Sequence, residues 1–122
     1  MELYVDGVLA RKLKADGVII STPTGSTAYS KSCGGPIVDP MVKCFVITPI
    51  CPFEGGSRSL VVPQDARIDV RVLGKSSALV VIDGEEKLEF PSGTRATFSI
   101  SDEVVNFIEL EGDYYSKIRD RL

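Results

Sequence analysis

The chain has 122 residues, 43% hydrophobic and 25% charged, the size and balance of one domain with a real core. Fourteen Lys plus Arg against seventeen Asp plus Glu give a net charge of −3, the wrong sign for wrapping a phosphate backbone, so nucleic acid is not expected as a partner. With no His at all, acid–base chemistry falls to carboxylates, Lys, Tyr or Cys, and a tetrahedral zinc site lacks ligands.

Most of the chain reads as strands. Leu3 and Val5 alternate with Glu2, Tyr4 and Asp6, and Asp6-Gly7 turns this strand into a hairpin with 8–14. Ala15-Asp16-Gly17 breaks the pattern. Val18-Ile19-Ile20 then reads as a strand buried on both faces. In 43–50, Cys44, Val46 and Thr48 fall on one face, with Phe45 and Ile47 on the other. Glu54-Gly55-Gly56-Ser57 is the most flexible-looking linker, yet too short to separate domains. Leu60-Val61-Val62 ends at Pro63, which cannot donate to a ladder. Strands are also expected at 68–72, 78–82, 87–90, 96–100 and 105–110. Turn signals about every ten residues predict an all-β sandwich. Tyr114, Ile118 and Leu122 sit four apart, so 113–122 predicts a short amphipathic C-terminal helix.

The apolar runs are far shorter than the ~20 residues of a membrane-spanning helix. The first residues, MELYVDGV, do not resemble a signal peptide. Cys33, Cys44 and Cys51 are odd in number and irregularly spaced, which suits buried or half-buried thiols in a reducing compartment. A cytoplasmic protein without a membrane partner is expected.

One segment carries chemistry. After the strand at 18–20 come Ser21, Thr22, Thr24, Ser26, Thr27 and Ser30, six hydroxyls within ten residues. Pro23 presets one turn residue, and Gly25 permits a backbone that a side chain would forbid. Ser26 or Thr27 is placed to cap a short helix over 28–32. A strand, a tight polar turn and a helix start present N–H groups and hydroxyls together, a setting that suits a nucleotide or, equally, a merely solvated turn. Neither standard phosphate-binding glycine motif is present. The Gly74-Lys75-Ser76 run has Asp69 where a Walker loop needs glycine, and no GxGxxG occurs.

TPTGSTAY at 22–29, GGPIVDP at 34–40 and ITPICP at 47–52, with VDG at 5–7, ADG at 15–17 and IDG at 82–84, resemble the NAD kinase family in order and spacing. The likeness is to that family's C-terminal domain over nearly the whole chain. It implies an enzyme that phosphorylates the adenosine-ribose 2′-hydroxyl of NAD to NADP, with ATP (polyphosphate in some members) as donor and Mg²⁺ bridging the donor phosphates. The family's Gly-Gly-Asp-Gly-Thr loop and Asn-Glu pair lie in an N-terminal domain that these residues do not contain. No catalytic residue and no metal ligand is therefore expected here, and 1–122 is expected to bind dinucleotide without catalysing.

The resemblance implies a pocket formed by Thr24, Thr27, Ala28, Tyr29 and Ser32, with Tyr29 offering a ring face to the ligand. Asp16 and Cys51 match family positions that reach the dinucleotide across a subunit boundary, so a homodimer or homotetramer is implied. Three departures stand out: Cys33 replaces a common Ala, Phe53 a common His, and Ser59 the Pro of an Arg-Pro pair at Arg58. Arg11, Lys12 and Lys14 read as a solvated face. The competing readings are a non-catalytic β-domain that assembles subunits, and a related lipid kinase, in which the TPTGSTAY loop would have to diverge.

Overall fold

The computed structural model describes residues 1–53, 57–75, 77–108 and 112–119. Among the described residues, nine strands and two short helices follow one another: β1 (Glu2–Val5), β2 (Val8–Lys12), β3 (Gly17–Ser21), a 3-10 turn (Thr24–Thr27), α1 (Tyr29–Ser32), β4 (Cys44–Ile50), β5 (Leu60–Pro63), β6 (Ile68–Arg71), β7 (Ala78–Ile82), β8 (Glu86–Phe90), β9 (Arg95–Phe98) and α2 (Tyr114–Arg119). All pairings are antiparallel. One sheet has the order β2-β1-β6-β9, a second β3-β4-β5, and β7 and β8 form a hairpin.

The period-2 patterns explain the layering. In the four-stranded sheet Leu3, Ile68 and Val70 face inward, with Val5 and Phe98 beside them. In the three-stranded sheet Phe45, Ile47 and Val62 face inward, with Val18, Ile20 and Leu60 beside them. These side chains form one cluster, so the two sheets are the halves of a sandwich. Each fully buried Val, Ile or Phe contributes roughly 1.5–3 kcal/mol of transfer free energy. Asp69, buried on β6, is satisfied by Thr97 Oγ1 at 2.5 Å and by Arg67 at 3.4 Å.

The central strand β4 decides where the site lies. Its neighbours β3 and β5 flank it, and 44–49 are buried on both faces. Phe45 and Ile47 enter the sandwich, while Cys44, Val46 and Thr48 point the other way, as their alternation implies. That second face is covered by the segment containing the 3-10 turn and α1, through a Ser30–Thr48 hydrogen bond. Pro49 is tolerated because β5 pairs with β4 only over residues 44–47, so its missing N–H falls beyond that ladder.

Four local expectations are corrected. β3 is only half-buried along 17–20, because it is an edge of its sheet rather than its centre. The expected single helix over 28–32 is a 3-10 turn, a break at Ala28 (φ −94°, ψ −127°) and a four-residue α1. Neither Ser26 nor Thr27 caps it: each hydroxyl donates to the carbonyl three residues earlier, of Pro23 and Thr24 respectively. Residues 105–108 form no strand, since no described segment pairs with them, and 109–110 lie outside the described residues. The linker at 54–56 and the end of the tail helix at 120–122 also lie outside them.

The tail helix is held by polar contacts. The Asp113 carboxylate accepts from the Ser116 N–H and hydroxyl, an N-cap. Tyr114 Oη donates to the Val38 carbonyl at 3.2 Å, and Tyr115 Oη to Asp39 Oδ2 at 2.5 Å. The Tyr115 hydrogen bond, then the Met41 N–H, hold the Asp39 carboxyl below the usual carboxylate range. The Ser116 bonds do the same for Asp113. A carboxyl depressed in the folded state contributes stability that is complete above its unfolded pKa and lost as pH falls through the folded value. Acidification below the ordinary carboxylate range is therefore expected to release α2 from Val38 and Asp39 while the sandwich stays folded. Tyr114 and Tyr115 ring resonances followed by NMR would check this. Tyr115→Phe should raise the Asp39 midpoint, and an unchanged midpoint would contradict the assignment.

Candidate dinucleotide site

The six hydroxyls after β3 divide into two groups. Ser21, Ser26 and Ser30 are buried and structural. Ser26 Oγ donates to the Pro23 carbonyl at 2.6 Å and accepts from the Val38 N–H at 3.0 Å, stapling the turn to the Gly34–Asp39 stretch. Ser30 Oγ meets Thr48 Oγ1 at 2.9 Å, and Thr48 Oγ1 meets Ser59 Oγ at 3.0 Å. Thr22, Thr24 and Thr27 are exposed. Thr22 Oγ1 accepts from the Gly25 N–H and so shapes the turn.

What faces outward is therefore narrower than the motif. Thr24, Thr27, Ala28, Tyr29 and Ser32 all lie exposed on one short segment whose other side is locked to the sheet. Tyr29, the first residue of α1, has 59% of its surface exposed, so its ring is not core packing. These five expected site residues lie close together in the chain on a rigid base.

Asp16 and Cys51 stand elsewhere. They share an open depression of about 500 Å³ with Lys14, Ala15 and Phe53. Its walls are tied together by the Asp16 N–H to Ile50 carbonyl bond (3.0 Å) and the Phe53 N–H to Lys14 carbonyl bond (2.7 Å). Cys51 holds φ +44°, an uncommon left-handed conformation for a non-glycine residue. Of the thiols expected to be buried or half-buried, Cys33 is half-buried, but Cys51 is exposed. Cys44 is buried, and burial pushes its thiol pKa up. The depression adjoins the start of β3 and the polar turn adjoins its end. Five residues at about 3.3 Å each separate them by about 15 Å. The expected site residues thus fall into two groups, one on the 24–32 segment and one around the depression.

Sequence reasoning missed several participants. Gly35 passes so close to the Ser30–Thr48 pair that a Cβ there would lie 2.4 Å from Ser30 Oγ. Thr48 was legible only as a face of β4, and nothing in the sequence connects it to Ser59. Arg11, expected on a solvated face, donates from Nη1 to the Arg58 carbonyl at 2.6 Å and to Ser57 Oγ at 3.3 Å. It clamps residues 57–58 onto β2.

The chain is a β-sandwich domain that carries an outward polar turn and a short helix on its outer face. Comparison with known proteins gives the family: residues 1–110 match the ATP-NAD kinase C-terminal domain, and the chain belongs to that family. It is 46% identical to the NAD kinase of Methanothermobacter thermautotrophicus, covering 100% of this chain and 44% of that protein. It is 44% identical to a bifunctional NADP phosphatase/NAD kinase of Methanocaldococcus jannaschii, covering 96% of this chain and 20% of the relative. Among solved structures, an Archaeoglobus fulgidus NAD kinase in complex with ATP superposes with TM-score 0.76 at 39% identity, over 83% of this chain and 39% of that one. Yeast NADH kinase complexed with NADH gives TM-score 0.74 at 35% identity, over 79% and 28%. The chain spans less than half the length of these relatives.

Proposed function

We propose that this chain is the dinucleotide-binding portion of an NAD kinase, which transfers phosphate from ATP to the adenosine-ribose 2′-hydroxyl of NAD and yields NADP. The supporting observation is the exposed row Thr24, Thr27, Ala28, Tyr29 and Ser32 on a turn locked from beneath by buried hydroxyls. A stacked adenine or nicotinamide suits the open Tyr29 ring, and hydroxyls suit ribose and phosphate oxygens. The donor loop and catalytic carboxylate belong to the further length that the relatives possess. Among the described residues no group of three or more Cys, Asp or Glu is arranged to hold a metal ion.

By the family resemblance Asp16 and Cys51 serve a second copy's ligand; they line a depression that does not include Tyr29. This makes the working form a homodimer or homotetramer. Among the described residues no helix is long and apolar enough to cross a membrane, and we place the enzyme in the cytoplasm. The assembly-only reading has one observation in its favour. The β7–β8 hairpin exposes Leu79, Val81, Ile82 and Leu88, and a two-stranded hairpin is only marginally stable alone.

Calorimetric titration of the 122-residue chain with NADP decides between them. Saturable binding, with no NADP formed from NAD, ATP and Mg²⁺, is the expected result. Heat no larger than dilution would leave the assembly reading, and turnover by the pure chain would overturn the division of labour proposed here.

A further inference from the structure

We propose that Thr48 is a positioning residue: its hydroxyl, at the centre of a buried Ser30–Thr48–Ser59 chain, holds α1 and with it Tyr29 and Ser32 in place. The functional half of this inference rests on the dinucleotide reading above. Four residues are too few for a helix to persist on its own, so the placement of α1 must come from tertiary bonds. Thr48 supplies such a bond between α1 and β4. Both Ser30 and Thr48 have no exposed surface, so neither touches a ligand itself.

Each hydroxyl has one proton to donate. With Ser30 donating to Thr48 and Thr48 to Ser59, both fully buried protons are used within the chain, and the last proton leaves at half-buried Ser59. The far end of the chain is anchored independently, because Arg11 grips Ser57 and the Arg58 carbonyl. Gly35 closes the pair from the other side. Its N–H donates to the Ser30 carbonyl at 2.8 Å, and its missing side chain leaves room for Ser30 Oγ and Thr48 Oγ1. An apolar residue at 48 would still pack, as Val46 does two residues earlier on the same face, but it would not set the position of α1.

The test uses Thr48→Val, which keeps shape and removes the hydroxyl, and Thr48→Ser, which keeps the hydroxyl. Ile68→Val in the opposite sheet is the stability control. NADP affinity is read by calorimetry, and amide hydrogen exchange is read at Ser32, Cys33, Gly34 and Gly35. Thr48→Val is expected to weaken NADP about tenfold and to speed exchange at those amides, with β1 and β6 unchanged. Thr48→Ser should restore both, and Ile68→Val should lower the melting temperature without touching affinity. Parent-like affinity and exchange in Thr48→Val would overturn the proposal. So would failure of Thr48→Ser to restore them, or an equal loss in Ile68→Val. If the parent chain itself binds no NADP, the dinucleotide reading falls, and the exchange data alone decide whether Thr48 places α1. Should Thr48→Val not fold, Ser30→Ala removes the same bond from the α1 side, with the same loss of affinity and faster exchange expected.

Discussion

Replacing Gly35 with alanine is expected to destabilise the chain by about 1–3 kcal/mol, the range for overpacking a filled site. The new methyl would lie 2.4 Å from Ser30 Oγ, 2.7 Å from Thr48 Oγ1 and 2.8 Å from the Ser30 carbonyl oxygen. None of these is the loose end of a long side chain. Two are hydroxyls of fully buried residues bonded to each other, and the third is backbone. Relief requires α1 to lift from β4, so the thermal midpoint should fall by several degrees and the Gly35 N–H to Ser30 bond should be lost. Gly34 makes a useful contrast. It has φ +82° and nothing within 4 Å of a built Cβ, so its substitution costs backbone conformation alone, and Asn should be the mildest replacement. Thermal unfolding of Gly35→Ala and Gly34→Asn measures the difference. A Gly35→Ala protein with the parent's midpoint would show that this backbone does not lie on the hydroxyl pair.

The second large effect concerns binding. Tyr29→Ala is expected to weaken NADP by about 1–3 kcal/mol, the worth of one base–aromatic stack, which is roughly five- to 150-fold. Its effect on stability should stay within about 0.5 kcal/mol, because the ring is largely in solvent and fills no core space. Tyr29→Phe keeps the ring face and should keep most of the affinity. Calorimetry on the three proteins, beside their melting curves, separates these outcomes. If Tyr29→Ala leaves affinity intact, the ring is not the stacking platform. If it leaves affinity intact but shifts the sedimentation coefficient, the assembly reading gains.

The two substitutions act on opposite sides of one segment. Gly35 and the buried hydroxyls lie beneath it, where a lost or added atom is felt as packing. Tyr29, Thr24 and Thr27 lie above it, exposed, where the proposed ligand would meet them. A motif dense in Ser and Thr hides this division, because a hydroxyl that braces a loop and one that greets a nucleotide are the same letter.

Much of the architecture was legible from order alone. The alternation in 43–50 assigned Phe45 and Ile47 to one face and Cys44, Val46 and Thr48 to the other, and the sandwich places them so. The turn signals at Asp6-Gly7 and Asp83-Gly84 mark real hairpins, with both aspartates at φ +49°. The motifs at 22–29, 34–40 and 47–52 identified the family. These features are local: a period of two, a turn residue or a run of letters needs no knowledge of what folds over it.

Other features depended on partners distant in sequence. Residues 105–108 have the pattern of a strand, yet nothing among the described residues pairs with them. Arg11 read as a solvated charge until the Ser57–Arg58 segment, more than forty positions away, came to lie beside it. Ser30 and Thr48 are eighteen positions apart, and only the folding of α1 over β4 brings their hydroxyls within 2.9 Å.

The sequence by itself determined the strand periods, the turns and the family, because each is written in neighbouring residues. Only the tertiary structure decided which hydroxyls are buried, that Thr48 stands between Ser30 and Ser59, and that Arg11 grips the 57–58 segment. Those facts arise where segments far apart in the chain meet, and burial and hydrogen bonding are settled only at the meeting.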